Sequence, residues 1–196
     1  MEPKPAPRAV RRRLTHVDRS GRPRMVDVGG KPVTERRAVA EAFVAMSPET
    51  LSLVIDGSTP KGDVLGVAEL AGVMGGKRTS DLIPLCHPIG LTSLVVTATP
   101  DRSGGGLRIR AEAATTGQTG VEMEALTAAS IAALTAYDMV KGVERGVEIR
   151  TVHLVEKSGG RSGEWRRPAS PAGPEGRPAS RGRPGDRVAG RIRKRG

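Results

Sequence analysis

The fold is decided by residues 120–142, which read GVEMEALTAASIAALTAYDMVKG. Val121 to Lys141 contains neither Gly nor Pro. Its interior is dominated by Ala and Leu, which are strong helix formers. Gly142 stands where a glycine commonly ends a helix. The stretch therefore predicts one long helix, and alanines on several of its faces are typical of a helix packed closely by its neighbours.

Charged residues mark both ends of this helix. Glu122 and Glu124 lie at its start, whereas Asp138 and Lys141 lie at its end. Because Asp138 and Lys141 are three residues apart, they share a face. Two interpretations are open: an exposed ion pair worth about 0.2–0.5 kcal/mol, or an acid/base couple at the end of a buried helix.

The segments before the helix predict a strand followed by two helical regions. Alternation over Arg36–Met46 indicates a strand, and Ser47-Pro48-Glu49 supplies a cap, a proline and an acid that start a helix reaching about Ile55. Lys61 to about Leu82 has helical periodicity, interrupted by several glycines.

The remaining elements are strands. Leu91–Thr99 and Leu107–Thr116 flank a glycine-rich turn and predict a hairpin, Val147–Val155 is a last strand, and Met25–Val28 is a short extended candidate. Antiparallel strands mixed with helices predict an α+β fold of ferredoxin-like type, with helices packed on one face of the sheet.

Positive charge is concentrated at the two ends of the chain. The net charge is +11; residues 1–13 carry +4 and residues 166–196 carry +8, which leaves −1 for residues 14–165. We predict a disordered basic arm over residues 1–13, one domain over residues 14–165, and a disordered Pro/Gly/Arg-rich tail over residues 166–196. Nucleic-acid binding is therefore not expected of the domain and would concern the tails alone.

The number of cysteines and the lengths of the apolar runs indicate the cellular compartment of the protein. Cys86 is the only cysteine, so the chain cannot form an intrachain disulfide or a thiolate metal site. No apolar run approaches the roughly 18 residues that cross a bilayer. We expect a cytoplasmic protein without a membrane partner. Its three aromatic residues are too few for a base-stacking platform of the kind that binds single-stranded nucleic acid.

Two loops could carry chemistry. Pro88 holds His87 in an extended conformation, which suits a catalytic or binding imidazole, although a capping role in the loop is an equal alternative. Cys86 is interpreted as a packing residue. The glycines of Lys157–Gly163 would let the backbone approach an anion, or would simply form a flexible exit from the domain.

Several cations near element ends suggest a polyanionic substrate such as a nucleoside triphosphate: Arg36, Lys61, Lys77 and Arg78. Glu124 and Asp138, however, are fourteen residues apart, or about 21 Å along a helix. An oligomer that brings the start of one subunit's helix near the end of another's would place both in one site.

Residues 14–165 resemble the molybdenum cofactor biosynthesis protein C family, the cyclic pyranopterin monophosphate synthases, in a series of segments that occur in the family's order. The segments that carry the resemblance are Leu14–His16, Met25–Val28, Ala40–Val44, Lys61–Val64, Lys77–Thr79, Asp81–Pro88, Thr119–Ser130, Tyr137–Met139 and Lys157–Gly160. Arg161 stands where the family commonly has Lys, which keeps the charge but changes the geometry of anion contact.

The resemblance implies a lyase that converts 3′,8-cyclo-7,8-dihydro-GTP, the product of a radical-SAM GTP cyclase, into cyclic pyranopterin monophosphate and pyrophosphate. It implies a homohexamer, a trimer of dimers, with active sites between subunits. No cofactor is expected, and a divalent cation on the substrate triphosphate is an open alternative.

The resemblance also implies the site residues. Asp138 would be the catalytic acid/base, with Lys141 beside it. The expected substrate-binding residues are Leu85, Cys86, His87, Glu122, Met123, Glu124, Lys61, Lys77, Arg36 and Lys157. The alternative functions are a nucleotide- or nucleic-acid-binding module that uses the basic tails, and a structural assembly factor.

Overall fold

The computed structural model describes residues 20–168 and contains a five-stranded sheet with helices packed on it. The strands are β1 (Thr34–Ala45), β2 (Ser93–Asp101), β3 (Gly106–Gly117), β4 (Glu148–Ser158) and β5 (Trp165–Arg166). The helices are α1 (Pro48–Ile55), α2 (Val64–Lys77), α3 (Thr79–Leu82) and α4 (Glu122–Val140). The order β1, α1, α2, β2, β3, α4, β4 is the one predicted from the sequence.

The sheet is antiparallel throughout, with strand order β2-β3-β1-β4-β5. Each helical connection therefore joins two parallel strands that are separated by a third strand, as in a ferredoxin-like fold. The predicted α+β class is confirmed.

The core lies between the sheet and the helices. Helix α4 is its centre, and six of its alanines are fully buried: Ala125, Ala128, Ala129, Ala132, Ala133 and Ala136. Helix α2 runs along α4 with glycines at the contact. A Cβ added at Gly72 would lie 2.9 Å from Val96 Cγ1 and 3.0 Å from the Ala128 carbonyl oxygen. The glycines that weaken the helical pattern of α2 thus permit its close packing.

The outer face of the sheet carries ion pairs instead of a second layer. Arg37 of β1 bridges Glu112 of β3 and Glu156 of β4, and Arg110 pairs with Glu41 at 3.1 Å. Cross-strand pairs of opposite charge stabilise neighbouring strands. The alternation of β1 therefore separates a charged face from an alanine-rich core face.

Three local expectations differ from the structure. Residues 25–28 form no strand, and the second helical region is divided at Arg78 into α2 and α3. The tail boundary after Trp165 cuts through β5, because Arg166 pairs with Glu156. The predicted arm over residues 1–13, the segment Leu14–His16 and residues 169–196 of the tail lie outside the described residues.

Candidate functional site

Asp138 forms the centre of a charged cluster at the end of α4. Its Oδ2 lies 2.7 Å from Lys61 Nζ, and its Oδ1 lies 2.7 Å from Lys141 Nζ. Lys61 Nζ also donates to the Asp138 carbonyl oxygen at 2.8 Å. We call these three residues the Asp138 cluster.

The antiparallel arrangement of α2 and α4 produces this cluster. Lys141 follows Asp138 by three residues and meets it on one helix face, as the spacing predicted. Lys61 lies in the turn before α2, and Thr59 Oγ1 steadies that turn by donating to the Gly62 carbonyl at 2.6 Å. The start of α2 is thereby placed beside the end of α4.

The two ammonium groups control the protonation of Asp138. Hydrogen bonds from Lys141 and then Lys61 lower the pKa of Asp138 to about 2. The carboxylate in turn raises the pKa of Lys141. All three side chains are about half exposed, so solvent screens the pairs. At neutral pH the cluster holds one ionised carboxylate between two cations, an arrangement that can both accept a proton and bind an anion.

Ion pairs and carbonyl contacts surround the start of α4. Lys157 Nζ lies 2.7 Å from Glu122 Oε1 and donates to Ser162 Oγ at 3.0 Å. Arg36 donates to the carbonyl oxygens of Gly117 at 2.9 Å and Gln118 at 3.2 Å. We call Lys157, Glu122 and Ser162 the Lys157 cluster.

The turn after β4 fits closely around Arg36. Gly159 and Gly160 have φ values of 89° and 70°, which favour glycine. A Cβ at Gly160 would overlap the Arg36 guanidinium, and one at Gly159 would overlap the Glu35 carbonyl. Glycines are therefore required here so that the backbone can approach a cation.

Glu124 is a buried acid in the first turn of α4. Glu124 is only 3% exposed, and its Oε2 has no hydrogen-bond partner among the described residues. Desolvation, assisted by the charge of Glu122, raises the pKa of Glu124. The carboxyl therefore retains a proton to higher pH than an exposed glutamate does.

The segment Leu85–His87 lies near this buried acid. Its three residues are half-buried, and the Cys86 amide donates to the Ile83 carbonyl at 3.0 Å. Desolvation, and then the charge of Glu124, raises the pKa of the Cys86 thiol, which keeps it protonated. His87 Nε2 lies 2.8 Å from the Val26 carbonyl oxygen, which fixes the orientation of the imidazole.

Residues 25–160 match the family model described as the MoaC family. The chain belongs to the MoaC family. Cyclic pyranopterin monophosphate synthases of Brucella ovis and Brucella canis are similar to it, with 59% and 58% identity over 153 residues. In both cases the alignment covers 78% of this chain and 93% of the relative.

The sequence-predicted site residues all lie within the MoaC family match, but they occupy two places. Asp138, Lys141 and Lys61 meet at the end of α4. Arg36, Lys157 and the first turn of α4 lie at its start, with Met123 36% exposed there. Lys77 is the last residue of α2 and forms no ion pair with the residues that the structure describes. The two places lie at opposite ends of this 19-residue helix, about 28 Å apart at 1.5 Å per residue.

Two contacts of this candidate site have no signal in the sequence. The partnerships of Lys61 with Asp138 and of Lys157 with Glu122 join residues 77 and 35 positions apart. Such pairs become visible only once α2 and β4 are placed beside α4. Strand β5 was also missed, because a two-residue strand has no periodicity to detect.

Neither a metal centre nor a membrane helix is found in residues 20–168. No three His, Cys, Asp or Glu side chains there lie close enough together to hold an ion. No helix in that part of the chain is long and apolar enough to cross a bilayer.

Proposed function

We propose that this chain is a cyclic pyranopterin monophosphate synthase, a phosphorus-oxygen lyase of molybdenum cofactor biosynthesis. It converts 3′,8-cyclo-7,8-dihydro-GTP into cyclic pyranopterin monophosphate and releases pyrophosphate. The observation that carries the proposal is the Asp138 carboxylate held between Lys61 and Lys141. Membership of the MoaC family and the names of its Brucella relatives support it.

Asp138 is the acid/base group of this reaction. Opening the five-membered ring of the purine, building a pterin and closing a cyclic phosphate each require proton transfers. A positioned acid/base typically contributes about 10²–10⁴-fold to such steps. Because its pKa is lowered to about 2, Asp138 begins the cycle as a base.

Lys61 and Lys141 hold the phosphates. Closing the cyclic phosphate breaks a bond within the triphosphate and leaves negative charge on pyrophosphate. Ammonium groups aimed at that oxygen stabilise the charge as it develops. Lys77, Arg36 and Lys157 supply further positive charge, and Leu85, Cys86, His87, Glu122, Met123 and Glu124 bind the remainder of the substrate.

The complete site forms between subunits of a homohexamer, a trimer of dimers. The start and end of α4 are too far apart to serve one small substrate within a subunit. An apolar stripe on α2 also has no partner among residues 20–168: Val67, Leu70 and Met74 are 42%, 63% and 54% exposed. Such a stripe is suited to contact with another subunit.

The protein itself needs no cofactor, since side chains present can transfer the protons and balance the phosphate charge. A divalent cation, if required, enters with the substrate triphosphate. The substrate comes from a radical-SAM GTP cyclase, and a single cysteine fits the reducing cytoplasm.

Turnover by the purified full-length chain tests this function. With 3′,8-cyclo-7,8-dihydro-GTP we expect equal amounts of cyclic pyranopterin monophosphate and pyrophosphate. Asp138→Asn should lower kcat by about 10²–10⁴-fold without unfolding, because it removes the base. Asp56→Asn, at an exposed position after α1, is the matched control. Absence of product from the wild type refutes the function, and normal turnover by Asp138→Asn removes Asp138 from the mechanism.

The alternative of a nucleic-acid-binding module depends on the basic tail. Ending the chain after Pro168 removes residues 169–196 and leaves β5 complete. An enzyme keeps its turnover, whereas a binder that uses the tail loses affinity and salt dependence. Binding of a duplex oligonucleotide across a salt series, measured beside turnover, distinguishes the two. Lost turnover with lost salt-dependent binding would favour the binding module.

A further inference from the structure

Trp165 lies on the same face of the sheet as the Lys157 cluster. It pairs with Lys157 across β5 and β4, and directly paired residues in antiparallel strands project to one face. Lys157 reaches Glu122 at the start of α4, so this is the helix face. Arg166, the next residue, pairs with Glu156 at 3.5 Å on the charged outer face. The register therefore places Trp165 next to Lys157 on the helix face of the sheet, and Lys157 in turn reaches the start of α4.

The indole is exposed among polar neighbours. Trp165 is 39% exposed, and it is absent from the hydrophobic core of the described residues. Trp165 is paired with Lys157, follows Glu164 in the chain, and lies three residues after Ser162, to which Lys157 donates. It is also the only tryptophan of the chain. A large flat apolar surface beside a cation is suited to a ligand that is aromatic at one end and anionic at the other.

We propose that Trp165 stacks against the fused heterocycle of the nucleotide-derived substrate and sets the affinity for that ring. This inference rests on the proposed function and adds a substrate-contacting residue to it. Lys157 binds an oxygen substituent or phosphate of the same molecule, which places the ring over the adjacent indole. Stacking needs only a flat face and no particular hydrogen-bonding pattern, so Trp165 can hold both the purine and the pterin forms.

Indole fluorescence tests the contact in the wild-type protein, because all tryptophan emission comes from Trp165. GTP and inorganic triphosphate serve as probes, the first with a purine and the second with phosphates alone. We expect saturable quenching by GTP and little change with triphosphate. Equal responses to the two probes, or no quenching when calorimetry shows that GTP is bound, would overturn the proposal.

Two substitutions separate the effect of the aromatic face of Trp165 from the effect of its side-chain volume. Trp165→Phe keeps an aromatic face, whereas Trp165→Leu keeps apolar volume without one. We expect Trp165→Leu to raise KM by about 5- to 150-fold, the range typical of base stacking, with kcat within about twofold. Trp165→Phe should recover most of this loss. Arg166→Gln, on the opposite face of β5, controls for damage to the strand.

The kinetic result decides the proposal even where GTP binds too weakly for fluorescence. An unchanged KM in folded Trp165→Leu would overturn it while wild-type turnover leaves the proposed function intact. A wild type without turnover on 3′,8-cyclo-7,8-dihydro-GTP would instead refute the function and, with it, this inference. A fall in kcat alone would assign Trp165 a structural role and would also overturn the stacking proposal.

Discussion

Glu124 shows how burial changes the chemistry of a single residue. Among residues 20–168 it is the only buried acidic side chain, and one of its oxygens has no partner. The sequence placed it at the start of a helix, where exposed acids are common. Its burial accompanies the close packing of α2 on α4, where a Cβ at Gly76 would lie 3.2 Å from the Glu124 carbonyl oxygen. Local sequence does not reveal that packing.

Glu124→Gln should change the pH dependence of stability. The pKa of Glu124 is raised above its ordinary value of 4.5 in the folded protein, so folding retains a proton that the unfolded chain releases. The wild type therefore loses stability as pH rises through 4.5 toward the folded pKa. The Tm of Glu124→Gln minus that of the wild type should grow between pH 4 and pH 7.

Calorimetry at several pH values measures this difference. Exposed Glu35→Gln provides the baseline for removing a glutamate from the same protein. A difference in Tm that stays level across the range, or that shrinks with rising pH, would show that Glu124 is not desolvated in the folded state.

The residue scale also shows what spacing can predict. Asp138 and Lys141 are neighbours by helical geometry alone, and their contact at 2.7 Å confirms it. Lys61 could be predicted as a cation but not as the second partner of Asp138. That contact depends on how α2 crosses α4, which is decided by packing over the whole domain.

At the scale of elements, helix α2 illustrates a conflict between propensity and packing. Its four glycines weaken a helical prediction because glycine is about 1 kcal/mol less favourable than alanine. The helix forms nevertheless, since Gly72, Gly75 and Gly76 allow α2 to approach α4 and β2. Strand β5 also depends on its surroundings. Its two residues carry no strand pattern of their own, and they form a strand because they pair with β4.

Gly72→Ala should therefore destabilise the protein although alanine is the better helix former. The added methyl meets Val96 and the backbone of Ala128, which cannot move aside easily. Overpacking of this kind costs about 1–3 kcal/mol. Alanine regains about 1 kcal/mol of helix propensity, so the net loss should reach up to about 2 kcal/mol. Urea unfolding measures it. Gly30→Ala, with no atom within 4 Å, is the control; a Gly72→Ala variant as stable as the control would contradict the close helix contact.

At the scale of the whole molecule, the order of elements was predictable from the sequence, whereas the proposed sharing of the site between subunits is not visible in one chain. Alternating strands, a capped helix and a long alanine-rich helix define the ferredoxin-like order, and the structure confirms it. The two charged clusters then lie at opposite ends of α4. In the proposed homohexamer a neighbouring subunit joins them. The pattern of one chain gives only an indirect sign of this, the exposed apolar residues on α2.

Subunit exchange between two inactive variants tests the central claim, that each active site takes Asp138 from one subunit and His87 from another. Asp138→Asn and His87→Ala should each be inactive alone. Mixed in equal amounts under conditions of exchange, one site in about four receives both native residues from its two subunits. The account predicts recovery of about a quarter of wild-type turnover, and mixed oligomers that stay inactive after proven exchange would contradict it.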